Sequence, residues 1–353
     1  MMRLRVGVIG AGSIANMHLK SYVANPDVEI VGIYDINHER AQQQAERYGA
    51  HTWFATLDEL LARPDIDAVS ICTWNNSHAE MAIAALDAGK HVLVEKPLAR
   101  TVAEAEAIEA AAARAGTKVQ VGFVRRFSSN AKVLKSFVDA GELGEIYFAK
   151  ATNVRRIGNP GGWFADSERS GGGPLIDIGV HVLDLCWYMM GAPKARTVSG
   201  VTYSRLGNRA NVTNLARYKV ADYDPDLSDV EDMATALIRF DNGSSIIFDT
   251  SYSLHATSDR LDLSIYGDKG GAELEPELKI VTERLDTVLN ISPQVDLATF
   301  DFDEGFQNEI DHFVALCLGE APDIAPVEHG VEMMRILAAI YESAAQGREI
   351  ALD

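Results

Sequence analysis

Cysteine and positive charge are scarce in this chain, and long apolar runs are missing. The 3 cysteines among 353 residues, Cys72, Cys186 and Cys317, stand singly in apolar contexts, with neither disulfide-framework nor metal-site spacing. They read as small buried hydrophobes, and a reduced, cytoplasmic setting is expected. Lys and Arg number 32 against 51 Asp and Glu, a formal net charge of -19. Such a field repels nucleic acid and anionic membrane surfaces, so neither is an expected partner. No apolar run approaches a membrane span. The opening Met-Met-Arg-Leu-Arg-Val-Gly-Val-Ile-Gly is interrupted by glycine too soon for a secretory signal, and none is expected. Internal repeats and low-complexity linkers are lacking as well. What is present, 353 residues of which 47% are hydrophobic, suffices for two domains with real cores and suits small neutral ligands.

The first third alternates short β-branched runs with helical patterns. Arg5–Ile9, Val28–Tyr34, Ala68–Cys72, His91–Val94 and Lys118–Val121 read as strands buried on both faces. Between them Thr56-Leu-Asp-Glu59, Ser77-His-Ala-Glu80 and Thr101-Val-Ala-Glu104 fit capping boxes, and Gly49, Gly89 and Gly116 stand where helices should stop. Repeated strand and helix predict a doubly wound parallel sheet.

The pattern then changes. A helix at 130–140, a strand at 145–154, and strands at 195–204, 233–240, 244–254 and 261–266 are expected, with hairpin chemistry at Asp241-Asn242-Gly243. Two helical patterns close the chain, at 306–317 and 330–345. The fold class predicted is α/β: an N-terminal Rossmann domain over 1–124, then an α+β domain over 125–353 with a large, mostly antiparallel open sheet.

Gly10-Ala-Gly12-Ser13-Ile14-Ala15 lies between the first strand and the first helix. In that context Gly10 permits the tight turn, Gly12 lets backbone approach a pyrophosphate, and Ala15 keeps helix and strand close. Asp35 ends the second strand, where a carboxylate accepts from the ribose 2′-hydroxyl of NAD and repels the 2′-phosphate of NADP. NAD is therefore favoured over NADP, although Arg40 and His38 nearby leave that preference open. Two more loops, Thr73-Trp-Asn75-Asn-Ser-His78 and Glu95-Lys96-Pro97, follow strands of the same sheet and should border the nicotinamide. Lys96 there is a cation able to steady a developing alkoxide.

Past the middle, Gly171-Gly-Gly-Pro174 leads into Asp177, His181 and Asp184. A helix would put all three on one face, pairing a carboxylate with an imidazole suited to proton transfer, and the glycines would let a ligand come close to its first turn. Asp184 is read as structural. Asn153-Val-Arg155-Arg156 and Gly158-Asn-Pro-Gly-Gly-Trp163-Phe164 form a polar and aromatic rim, whereas Tyr252 and His255 read as exposed sheet residues. A zinc site is not expected, because the Asp/His group lacks further converging ligands.

These motifs together resemble the glucose-fructose oxidoreductase / inositol dehydrogenase / MocA family. The resemblance rests on Gly10 to Ala15, Thr73 to His78, Glu95-Lys96-Pro97, Val121 to Phe127, the glycine segment with Asp177 and His181, and Gln307-Asn308-Glu309-Ile-Asp311. It spans nearly the whole chain. It implies that Lys96, Asp177 and His181 act together on a substrate hydroxyl while hydride passes to NAD. Cofactor contacts are then expected at Gly10, Gly12, Ser13, Ile14, Asp35, Ile36, Thr73, Asn75, His78, Glu95, Lys96, Arg125 and Trp163. Substrate contacts are expected at Lys96, Asn153, Arg156, Trp163, Asp177 and His181. A homodimer or homotetramer through the C-terminal sheet is implied too. The leading expectation is an NAD-dependent dehydrogenase of a sugar, sugar derivative or cyclitol; the alternatives are an NAD-using, redox-neutral glycosidase and an NAD-sensing binding protein.

Overall fold

The computed structural model describes residues 3–207, 209, 211, 212, 214, 228–297 and 299–352. Two compact units emerge: the residues up to Phe127 joined by Phe302–Val331, and Ser128–Asp301 joined by the chain from Glu332 onward.

The early part of the chain forms β1 (Leu4–Ile9), α1 (Ser13–Ala24), β2 (Val28–Tyr34), α2 (His38–Tyr48), β3 (Thr52–Phe54), α3 (Leu57–Leu61), β4 (Ala68–Ile71), α4 (His78–Asp87), β5 (His91–Glu95), α5 (Val102–Ala115) and β6 (Val119–Gly122). All six strands run parallel in the order β3-β2-β1-β4-β5-β6. The order reverses between β1 and β4, which opens a crevice at the carboxyl ends of the strands, where open α/β sheets take their ligands. The predicted strands are present; the three-residue β3 is an addition, too short to show a period. Thr56 and Glu59 make a full capping box, and Gly49 and Gly116 end α2 and α5 in the left-handed conformation. Two expectations need correction. Ser77 does not cap α4: its Oγ lies 2.8 Å from Thr73 Oγ1 and 2.9 Å from the Trp74 carbonyl. Thr101 caps α5, but Glu104 reaches back to the Arg100 amide, so the box is only half made.

The rest of the chain forms α6 (Ser129–Asp139), β7 (Ile146–Val154), α7 (Ser167–Ser170), α8 (Val180–Met189), β8 (Ala195–Tyr203), β9 (Met233–Phe240), β10 (Ser245–Ser251), β11 (Arg260–Gly267), β12 (Gly270–Glu275), β13 (Lys279–Arg284), β14 (Thr287–Ile291), α9 (Phe302–Leu318), α10 (Val327–Gln346) and β15 (Ile350–Ala351). The nine-stranded sheet has the order β14-β13-β12-β11-β7-β10-β9-β8-β15, antiparallel throughout except for the parallel pair β7 and β10. Gly243, at φ 84°, turns the predicted hairpin between β9 and β10. Ile238, Ile246 and Phe248 on one face are buried, and α8 packs against β7, β10 and β11. Gly200 of β8 comes close to α10, where a β-carbon would stand 2.9 Å from Ile340.

Helix α9 belongs to the first unit. Its Ile310, Phe313 and Val314 join Leu19, Tyr22 and the β1 side chains in one core. The polar motif on this helix fastens it: Gln307 donates to the Ser21 carbonyl at 3.3 Å, Asn308 to the Phe127 carbonyl at 3.0 Å, and Asp311 accepts from Asn25 at 2.7 Å. Among the described residues, no helix is long and apolar enough to cross a membrane.

Candidate active site

In the first unit the site begins at the turn between β1 and α1. Gly10 has φ +92°, and a β-carbon there would strike the Cys72 carbonyl oxygen at 2.6 Å, so only glycine fits. At Gly12 a β-carbon would meet nothing within 4 Å. No side chain caps α1, and its first amides are donors of the kind that hold a pyrophosphate. Ser13 is exposed and Ile14 half-buried beside that open space, while Ala15 is fully buried against the sheet. At the end of β2, Asp35 accepts from the Ala11 amide and from the Asn37 amide, each at 2.7 Å. It therefore shapes the glycine turn and the start of α2. Arg40 approaches Asp35 only to 4.0 Å. Ile36, next along, is 76% exposed, an apolar surface that an adenine ring would cover. These features fit a dinucleotide.

The loops after β4 and β5 are tied together. His78 is buried, its Nδ1 at 2.8 Å from the Pro97 carbonyl and its Nε2 at 3.3 Å from that of Thr73. Burial holds its pKa below the ordinary histidine range, so the neutral ring donates to Pro97 over the shorter distance. Sequence reasoning placed His78 on the cofactor; the structure makes it a staple between the two loops. Asn75 is buried nearby, and Thr73 and Arg125 are half-buried. Glu95 is buried and accepts the Lys96 amide at 3.2 Å, so it shapes the turn rather than facing a ligand. Lys96 is the one residue from Val92 to Ala99 that is not buried.

In the second unit Asp177 and His181 belong to a different helical form from that expected. Leu175–Gly179 is a π-helical turn, wider than an α turn, and α8 follows it directly. The strict four-residue face predicted for Asp177, His181 and Asp184 therefore starts only at α8. Gly179 permits the turn, since a β-carbon there would come within 2.7 Å of the Phe248 ring. The carbonyls it loosens find partners: Asn153 donates to Ile178 at 3.2 Å, and Thr250 lies 3.3 Å from the Pro174 carbonyl. Asn153, expected at the substrate, is thus occupied in holding this turn. The preceding glycines do not leave room for a ligand either. Gly172 and Gly173 are crowded by Tyr341 and Glu231, and Glu231 accepts from the Gly173 amide at 2.9 Å, the Leu175 amide at 3.0 Å and the Tyr341 hydroxyl at 2.9 Å.

Tyr252 corrects another expectation. It is not an exposed sheet residue: it is 1% exposed, and its hydroxyl donates to Asp177 Oδ2 at 2.6 Å. Burial first, and then the Asp177 charge, push its phenol well above the usual range, so it remains a donor. His255 is exposed, as is Arg156, while Trp163 is half-buried and stacks on Phe164 at 3.9 Å between ring centroids. Asp184 is buried in α8, consistent with a structural role. From Gly172 to Trp187 every residue is buried except His181. A half-buried imidazole, one turn after a carboxylate fixed by a phenol, can take a proton from a hydroxyl. Tyr252 and Glu231 carried no local signal, because each acts on residues far away in the sequence.

Comparison with known proteins identifies the family and its cofactor. A family model described as oxidoreductase family, NAD-binding Rossmann fold, matches residues 4–123, and its companion, oxidoreductase family, C-terminal alpha/beta domain, matches residues 135–352. The chain is 34% identical to D-glucoside 3-dehydrogenase of Escherichia coli K12 over 99% of its own length and 97% of that protein. It is 30% identical to the NAD-dependent scyllo-inositol 2-dehydrogenase of Bacillus subtilis 168, over 99% and 97% of the two chains. The structure of levoglucosan dehydrogenase in complex with NADH and levoglucosan superposes with a TM-score of 0.85 at 25% identity, covering 99% of both chains. The chain is therefore an NAD-dependent oxidoreductase and belongs to the glucose-fructose oxidoreductase / inositol dehydrogenase / MocA family.

Proposed function

We propose that this chain is a dehydrogenase that reversibly oxidises one secondary alcohol of a pyranoside or cyclitol, with His181 as general base. The observation that supports this most directly is the setting of His181, half-buried within an otherwise buried run and just after an Asp177 held by Tyr252. The relatives named for glucosides, inositol and levoglucosan point to the same substrate class. When bound, NAD supplies the hydride acceptor. His181 takes the hydroxyl proton, Lys96 steadies the negative charge that grows on the oxygen, and Asp177 orients the hydroxyl or the imidazole. Gly10, Gly12, Ser13, Ile14, Asp35 and Ile36 hold the dinucleotide, with Thr73, Asn75, Arg125 and Trp163 contributing. Arg156 and Trp163 select the substrate. The first unit, which takes in Phe302–Val331 as well as the early part of the chain, serves the cofactor, and the second serves the substrate and self-association.

A second copy of the chain is the partner we propose for the outer face of the nine-stranded sheet. Val201, Tyr203 and Ile247 stand 42%, 45% and 41% exposed on that face, and strand pairing aligns Ile247 with Leu237 and Val201 with Thr235. The protein is proposed to work in a reducing cytoplasm, where Cys72, Cys186 and Cys317 stay free thiols.

The deciding experiment is a panel of cyclitols, aldoses and glycosides with NAD or NADP, following cofactor reduction and product together. Stoichiometric NADH with one polyol class is expected. His181→Ala should lower turnover about a thousandfold while leaving the NAD dissociation constant unchanged. Near-normal turnover in that variant removes His181 as the base.

A further inference from the structure

Beneath the Lys96 turn, within the first unit, lies a set of buried ionisable groups that the proposed chemistry does not use. Tyr22 and His18 of α1, Ser70 of β4, Glu95 of β5 and Glu309 of α9 are at most 5% exposed. The Tyr22 hydroxyl is 2.6 Å from Ser70 Oγ, His18 Nδ1 is 3.2 Å from the same oxygen, and His18 Nε2 is 2.8 Å from Glu95 Oε1. Burial keeps the Tyr22 phenol protonated, and the donor order that gives the Glu95 carboxylate a proton to accept runs from the phenol inward. Tyr22 donates to Ser70, Ser70 donates to His18 Nδ1, and the imidazole proton sits on Nε2 facing Glu95. Glu95 thus receives two donors, the other being the Lys96 amide at 3.2 Å.

Glu309 is in the opposite position. Its residue is 0% exposed, and neither carboxyl oxygen has a hydrogen-bond partner among the described residues. Yet one of its oxygens lies within 4.8 Å of ligand atoms of both His18 and Glu95. Two buried carboxyls this close do not both ionise: the one with donors keeps the charge and the other keeps the proton. Burial, followed by the Glu95 charge, pushes Glu309 well above the carboxylate range. A divalent cation in the same place is the competing occupant. Ligands around tetrahedral zinc, with bonds of about 2.0–2.2 Å, stand roughly 3.4 Å apart. The His18–Glu95 separation of 2.8 Å is instead that of a hydrogen bond, which a metal would have to break.

We propose that Glu309 is a positioning residue held as a neutral carboxylic acid, which leaves Glu95 as the ionised member of the pair and so fixes the turn that carries Lys96. The inference rests on the catalytic reading of Lys96 for its functional consequence, but not for its protonation claim. Among the described residues, the titratable groups recorded against Glu309 are His18 and Tyr22 on α1, Cys72 just after β4, and Glu95 at the end of β5. For an acid whose pKa is raised by folding, the stabilising effect is present below the ordinary carboxylate range and is lost as pH climbs toward the raised value. Wild type should therefore lose stability with rising pH in a way that Glu309→Gln, a neutral mimic of similar shape, does not.

Isotope-edited infrared difference spectra of wild type against Glu309→Gln, at neutral pH in light and heavy water, test this directly. We expect a deuterium-sensitive carboxylic acid carbonyl band in wild type that the variant lacks; its absence overturns the proposal. Glu309→Gln should keep turnover and NAD affinity within about twofold, and its thermal midpoint should gain on wild type as pH rises from about 6 to about 9. A constant difference across that range overturns the proposal, as does stoichiometric metal in purified wild type that the variant has lost. If Gln does not fold, Glu309→Met serves for the spectral comparison. The spectral, thermal and metal readouts need no turnover, so a failure of Lys96 as catalyst, tested by Lys96→Ala, is recorded separately.

Discussion

A β-carbon at Gly10 would collide with the Cys72 carbonyl, whereas one at Gly12 would enter empty space, so two glycines of one motif answer to different demands. Gly10→Ala should cost about 1–3 kcal/mol of stability through strain and overpacking. Gly12→Ala should leave stability within about 0.5 kcal/mol and weaken NAD binding about tenfold or more. Urea titration and calorimetric binding measure both, and a Gly12→Ala protein that binds NAD normally would contradict the pyrophosphate assignment. Asp35 shows the reverse situation. Because it holds the Ala11 and Asn37 amides, its removal disturbs the glycine turn as well as any ribose contact. The glycine motif, Asp35, Lys96 and His181 were legible because short stretches of sequence carry their chemistry. Tyr252 and Glu231 were not, since their partners Asp177 and Gly173 lie 75 and 58 residues away.

At the scale of elements, strands buried on both faces announce themselves as unbroken apolar runs, which is why β1, β2, β4, β5 and β6 could be read directly. β12 and β13 went unread: β12 begins at Gly270-Gly271, and β13 carries only the apolar pair Ile280-Val281 among polar and charged residues. The π turn before α8 was also hidden, because Phe248, Asn153 and Thr250, all distant in sequence, decide it. The start of α10 offers a test of its own. Arg126 Nη1 donates to the Ile324 carbonyl at 2.6 Å and faces His329 Nδ1 at 2.9 Å, and its guanidinium lies 4.7 Å from the centre of the Phe123 ring. Arg126 is thus a buried lock between these segments. Burial, and then the Arg126 charge, hold the His329 pKa down to about 4. A depressed histidine is neutral in the fold while the unfolded chain takes a proton below about 6.5. Stability is therefore lost as pH falls from about 6.5 toward about 4. His329→Gln should flatten that part of the curve; parallel wild-type and variant urea midpoints at pH about 7 and about 5 would count against the lock.

Across the whole molecule, both sheets and their strand senses were foreseeable, but the return of α9 to the first unit was not, because a helix pattern does not say which core it joins. The open sheet face carries the association prediction. Ile247→Glu combined with Val201→Glu should yield monomers in light scattering without loss of secondary structure, and an unchanged mass would remove that face as the interface. The divided first unit carries another. A fragment ending at Phe127 lacks Ile310, Phe313 and Val314 over Leu19 and Tyr22, and it should neither fold cooperatively nor bind NAD, as circular dichroism and calorimetry would record. During synthesis the glycine turn therefore emerges early but has to wait for Phe302–Leu318 before the helix behind it gains its cover. On that expectation, dinucleotide capture would mark a chain whose intervening sheet has already been synthesised.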